Sequence, residues 1–247
     1  MGKLIRQLMR KIPFEVKQSA IDLVATFNYA REPFHHDQRL NEIFQQTINK
    51  IRSGFYLDVG ALDGRMFSNT WHLENGLDWR GILIEPNPES FHQLSRIRDP
   101  QKNVLIQKAI VGQDSKKDAK DYTRTLLAAH SMTIDLSSAW DVSKQMNEAS
   151  KFMGSNQNFY TFTVPASTLE EVLIESQAPE EIDFMSLDIE GAELEICLDF
   201  PLVNYRIKYL LIETDINGLA IRHLEKNGYK VIFYESVAGN AFLEKIY

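Results

Sequence analysis

The chain has 247 residues, 44% hydrophobic and 25% charged, which suits one globular α/β domain with an extension better than two full domains. Its net charge of −7 and pI near 5.4 speak against a general electrostatic grip on a polyanion, so no nucleic-acid partner is expected. Cys197 is the single cysteine, which excludes an intrachain disulfide and a thiolate zinc cluster and suits a reducing, cytoplasmic compartment.

Residues 1–50 read as a helical extension. Leu4, Ile5, Leu8, Met9 and Ile12 form one stripe at helical spacing, interleaved with Lys3, Arg6, Arg10, Lys11 and Lys17. Pro13 ends or kinks that segment. The stripe suits packing on the domain or a homo-oligomer contact, and less well a peripheral seat on the inner face of an anionic membrane. No apolar run approaches the roughly 20 residues of a membrane span, and the N-terminus lacks the pattern of a signal peptide. A second helix is expected over Gln38–Arg52.

From Phe55 the pattern changes to strands alternating with helices. Strands are expected at 55–60, 81–85, 103–111, 182–188, 209–213, 229–234 and 241–246. Helices are expected at 69–75, 88–98, 168–176, 191–198 and 219–227. This alternation predicts a mostly parallel, doubly wound sheet with right-handed crossovers. The short turn at Gly239-Asn240 makes the final pair a hairpin, so the last strand runs antiparallel. Residues 51–247 then form one domain. Within it, the polar stretch Gly112–Asn158 is too long for an idle loop, and 113–158 is expected to be a lid or substrate-recognition insertion.

In such a sheet, ligands bind at the carboxyl ends of the strands, near the switch in strand order. The first strand ends Asp58-Val59-Gly60-Ala61-Leu62-Asp63-Gly64, whose glycines let a ligand approach the backbone. The second ends at Glu85, 21 residues after Gly64, where an acid can accept both hydroxyls of a ribose. A nicotinamide-dependent oxidoreductase is the rival reading, but it needs G-x-G-x-x-G, and Leu62 and Asp63 break that spacing.

The string LDVGALDGRMFSNTWHLENGLDWRGILIEPNPESFHQL, with STLEEVL and IDFMSLDIEGAELEI further on, resembles the FkbM-type methyltransferase family. The most specific pieces are Asp58-x-Gly60-Ala61, Ser68-Asn69-Thr70, Glu85-Pro86-Asn87-Pro88 and Asp188-Ile189-Glu190-Gly191-Ala192-Glu193. The similarity runs from about Phe55 to Tyr234. It implies a class I, Rossmann-like fold, S-adenosylmethionine (SAM) as methyl donor, and a hydroxyl acceptor on a sugar, glycan or related small molecule. Where many members have Asn after Gly-Ala, this chain has Leu62. Carried over by residue, Asp58, Gly60 and Gly64 shape the methionine end of the SAM site, Glu85 holds the ribose, and Ala109 lies near adenine. Ala61, Asp63, Asn69 and Pro86 complete the expected cofactor set. A catalytically silent SAM-fold binding module remains the alternative outside enzymology.

Methyl transfer to a hydroxyl requires alignment, exclusion of water and removal of one proton. Asp188 ends the fourth strand and Glu213 the fifth, with Glu190 on the turn between strand and helix. Clustered oxygens there suit Mg²⁺, with Asp188, Glu190 and Glu213 as the candidate ligands. Without a metal, Asp188, or His130 in the insertion, is the candidate base.

Overall fold

The computed structural model describes residues 38–114, 122–129, 132–135, 160–189, 191–202, 204–236 and 239–246. The basic segment 1–17, His130, Trp140 and Glu190 lie outside the described residues. None of the described helices is long and apolar enough to cross a membrane.

Seven strands build the central sheet: β1 (Phe55–Val59), β2 (Arg80–Ile84), β3 (Asn103–Ile106), β8 (Glu181–Leu187), β9 (Arg206–Glu213), β10 (Tyr229–Glu235) and β11 (Asn240–Lys245). Their spatial order is β3-β2-β1-β8-β9-β11-β10. Pairs β1–β2, β2–β3, β1–β8 and β8–β9 are parallel. Strand β11 is antiparallel to both β9 and β10. This is the doubly wound, class I methyltransferase sheet with one reversed strand. Strand order turns back at β1 and β8, so a crevice is expected between their carboxyl ends.

Helices cover both faces, and the pleat assigns the faces residue by residue. In β1, Leu57 and Val59 join a core with α4 (Leu169–Glu175), α5 (Glu193–Asp199) and α6 (Leu219–Lys226). Tyr56 points the other way, into a core with α1 (Gln38–Gln46), α2 (Trp71–Leu77) and α3 (Pro88–Ile97). Burial on both faces explains why these strands read as continuous apolar runs. The expected helix over Gln38–Arg52 is shorter: α1 stops at Gln46 and a 3₁₀ turn covers Ile48–Lys50. Phe44 of α1 meets Phe184 edge-on at 5.2 Å and Phe242 at 5.8 Å, geometries that aromatic quadrupoles favour.

One expectation is corrected. The third strand does not run from 103 to 111: it breaks after Ile106, and Ala109–Ile110 (β4) leaves the central sheet. The insertion carries strands of its own. Thr123–Ala129 (β5) and Met132–Asp135 (β6) join Tyr160–Ser167 (β7) and β4 in a second sheet, in the order β4-β7-β5-β6. A small core of Ala109, Val111, Leu126, Val164 and Ala166 holds it together.

Helix α4 starts where β7 ends. Thr168 accepts from the Glu171 N–H at 3.3 Å, and Glu171 accepts from the Thr168 N–H at 3.0 Å, which closes a capping box. Thr168→Ala should lower unfolding free energy by about 1 kcal/mol. Chemical denaturation checks this, and a midpoint equal to the parent's would contradict it.

Candidate active site

The register brings three turns to one edge. Val59 pairs with Ile84 on one side and Leu187 on the other, so the residues that follow each strand become neighbours. Gly60 has φ +93°, and a Cβ there would stand 1.8 Å from the carbonyl oxygen of Asp188. Gly64 has φ +78°, and its Cβ would stand 2.4 Å from Leu94 Cδ1. Both glycines are therefore required by the protein's own close packing. The expectation assigned them to ligand approach alone. Between them Leu62 also takes a left-handed φ of +49°, an uncommon state for a branched residue.

Glu85 closes the other side of this turn. It is only 4% exposed. One carboxyl oxygen accepts from the Leu62 N–H at 2.9 Å, the other from the Asn87 N–H at 2.8 Å. Burial pushes Glu85 up to about 7; the two N–H donors oppose that rise, and Asp58 and Asp63 add to it. Asn87 caps α3, accepting from Glu89 N–H at 2.9 Å, and also accepts from the Tyr160 hydroxyl at 2.7 Å. The second sheet is thus tied to the loop that carries Glu85.

Asp188 follows β8, and its N–H donates to the Val59 carbonyl at 3.0 Å. It is solvent-exposed, yet protein crowds its carboxyl, and this crowding, then Glu193 and Asp58, push it up to about 6. The two facts suit a carboxylate at the strand-end edge, crowded by protein on one side and wet on the other. The open side limits how far burial raises it. Glu193 is 8% exposed and folds back on the same turn, accepting from the Ile189 N–H at 2.9 Å and the Gly191 N–H at 2.9 Å. It is occupied with shaping the turn.

The remaining expected residues have mixed placements. Asn69 reaches across and donates to Ser186 Oγ on β8 at 3.0 Å. Asp63 accepts from the N–H groups of Arg65 and Met66 at 2.8 and 2.6 Å, fixing its own turn. Ala61 is buried in the core below the turn, and Pro86 is partly buried beside Glu85. Ala109 is buried in the second sheet, paired with Ala166. Glu213 is exposed at the end of β9, and Leu187 pairs with Ile212, which puts it next to Asp188 along the edge. Among the described residues no group of three acidic, His or Cys side chains gathers to hold a metal. Glu190 of the expected Mg²⁺ set lies outside the described residues, so no step is derived through Asp188, Glu190 and Glu213 as metal ligands. His72 is 4% exposed and packs against Phe44 at 5.2 Å. Burial, with the Arg98 charge adding to it, holds it near 3, so it is neutral core.

Sequence reasoning missed a buried polar cluster beneath the turn. Arg98, 2% exposed, lies 3.1 Å from Glu74 and 3.7 Å from Asp58. Thr70 donates to Asp58 at 2.5 Å and accepts from Arg98. Glu74 also accepts from Tyr56 at 3.2 Å and Asn103 at 2.8 Å. The available signal was Glu74 on the inward stripe of α2, beside His72 and Leu73.

A family model described as the methyltransferase FkbM domain matches residues 58–231, more than half of the chain. The chain belongs to the FkbM methyltransferase family. It is accordingly a SAM-dependent methyltransferase by family, and the oxidoreductase reading falls. No curated protein matches the FkbM chain. Among solved structures it is similar to the METTL16 MTase domain, at 12% identity and a TM-score of 0.43, over 85% of this chain and 68% of that one. It is also similar to M. capricolum TrmK in complex with S-adenosyl-homocysteine, at 11% identity and a TM-score of 0.40, over 85% and 68%. A third neighbour is the hMettl16 catalytic domain in complex with MAT2A 3'UTR hairpin 6, at 10% identity and a TM-score of 0.36, over 85% and 70%. That last finding corrects the expectation of no nucleic-acid partner. A similar domain is seen with a nucleic acid, and a whole-chain charge of −7 does not describe any one face.

Proposed function

We propose that this FkbM methyltransferase transfers the methyl group of SAM to a hydroxyl on a sugar, glycan or related small product, with Asp188 taking the proton. The observation that carries the reading is the juxtaposition of the Gly60 turn, Glu85 and Asp188 at the switch in strand order. These residues fit SAM by chemistry: a deeply buried carboxylate faces the turn on the ribose side, and two further acids, Asp58 and Asp188, suit the cationic methionine end. SAM, when bound, supplies a methyl group on a sulfonium, whose C–S bond breaks as the O–CH₃ bond forms.

The chain's own residues do the rest. Glu85 fixes the ribose and so the axis of approach, since alignment is the larger part of such a displacement. Asp188, raised toward 6 by its crowded seat, is ionised at neutral pH and accepts the hydroxyl proton. Tyr160 joins the second sheet to the Glu85 loop, and that sheet forms the acceptor side.

Hydroxylated acceptor pools incubated with isotopically labelled SAM, read by mass spectrometry, test the reading. Labelled O-methyl product with matching S-adenosylhomocysteine is expected. SAM binding without turnover on any hydroxylated pool would favour a silent binding module.

A further inference from the structure

We propose that Arg98 and Thr70 are a positioning pair that holds Asp58 ionised and fixed in orientation toward the amino-acid end of bound SAM. The inference rests on the reading that Asp58 lines that end of the cofactor.

The geometry sets the direction of each bond. Arginine has donors and no acceptor, and a threonine hydroxyl has one proton. The Arg98 Nη2 contact to Thr70 Oγ1 therefore makes Thr70 the acceptor. Its single proton then goes to Asp58 Oδ2 at 2.5 Å, much the nearer of its two remaining partners, with Ser68 Oγ at 3.4 Å. That bond makes Oδ2 an acceptor and so keeps the carboxyl proton off that oxygen. Arg98 Nη2 adds a direct charge 3.7 Å from the same oxygen. All of these interactions fall on Oδ2, which leaves Oδ1 for an ammonium donor on a ligand.

Arg98 is itself held in place. Its side chain is fully buried, with Nη1 3.1 Å from Glu74 Oε2 and its guanidinium over the Tyr56 ring at 5.6 Å. Glu74 is fixed in turn by Tyr56, Asn103 and the Asp99 N–H at 3.0 Å. The charged and titratable groups around Asp58 are Arg98 after α3, Glu74 on α2, Tyr56 on β1, Glu85 after β2 and Asp188 after β8. Only Arg98 among them is cationic. Burial raises Asp58, and Arg98 followed by Thr70 opposes that rise. Without the pair, a carboxyl this deeply buried and ringed by acids would hold its proton. A neutral, unanchored acid would lose its grip on the ligand's ammonium.

Calorimetric titration of the full chain with SAM and with adenosine, which lacks the amino-acid end, tests the pair. Thr70→Val should weaken SAM about tenfold and leave adenosine affinity unchanged. Thr70→Ser should restore SAM binding. Arg98→Lys keeps the charge and loses the fork, and should weaken SAM selectively as well. It carries the test if Thr70→Val does not fold. Equal losses for SAM and adenosine, or unchanged SAM affinity in folded Thr70→Val and Arg98→Lys proteins, would overturn the pair. Asp58→Asn separates the two levels of the argument. If it leaves SAM affinity intact, the placement of Asp58 is wrong and the inference falls with it. If it weakens SAM while the Thr70 and Arg98 variants do not, the placement stands and the pair alone is refuted.

Discussion

Glu85→Ala should weaken SAM binding about tenfold or more in calorimetric titration, while the protein stays folded. Hydrogen bonds to a charged group contribute roughly 1.5 to 3 kcal/mol, and each 1.4 kcal/mol is a factor of ten. The carboxylate has about four lone-pair sites, and the N–H groups of Leu62 and Asn87 take one on each oxygen. Two remain for the hydroxyls of a ribose. The same carboxylate gives SAM affinity a pH dependence. Burial places Glu85 near 7, so it is mostly protonated at pH 6 and mostly ionised at pH 8. The neutral acid offers fewer acceptors, so affinity should rise with pH across that interval, and in Glu85→Gln the rise should vanish. Stability of the free protein should move in the opposite sense. A carboxyl raised in the folded state stabilises fully below its ordinary value of 4.5, and that contribution is lost as pH rises through about 7. Unchanged SAM affinity in a folded Glu85→Ala protein would remove Glu85 from the site.

The sheet was legible because its strands are buried on both faces. Segments 55–59, 80–84, 181–187 and 206–213 read as apolar runs that stop at an acid or a polar turn, and those stops mark the functional edge. The second sheet was not legible. Its strand β7 contains Pro165, which argues against a strand. Its strand β5 begins Thr-Arg-Thr, with no clear apolar face. The break between β3 and β4 is hidden for a related reason: Gln107 and Lys108 look like the polar half of an alternating strand.

The candidate site was legible in its positions and less so in its physics. Glu85 and Asp188 were singled out because they end strands, and the register sets them at one edge. The glycines were identified for a partial reason, since Gly60 also makes room for Asp188 and Gly64 for Leu94. The ion cluster at Arg98 was invisible because a charged residue is read as solvated, and a cation at a helix end is favourable without any partner. Only the fold shows that the end of α3 is buried against Tyr56 and the Gly64 turn. Buried charges of this kind persist only when paired, and here the pairing runs to Asp58, beneath the Gly60 turn.

Asp188→Asn should lower kcat by about 10² to 10⁴ and change SAM affinity little, once an acceptor is in hand. Asparagine keeps the size and the backbone contact to Val59, so the Gly60 turn retains its shape. What it loses is the capacity to take a proton. In the parent enzyme kcat/KM should therefore fall on acidification through about pH 6, where burial and the Glu193 and Asp58 charges place the carboxyl, and level off above it. The sign follows from the role: a base must be unprotonated to act, so activity is present above its titration and lost below it. In Asp188→Asn the residual rate should lose this acid limb. Asp58→Asn offers the contrast, because a residue at the amino-acid end of SAM should move affinity more than the limb. Near-full turnover by a folded Asp188→Asn protein would refute the assignment. It would leave alignment of the hydroxyl against the sulfonium, with the proton passing to water, as the source of the rate.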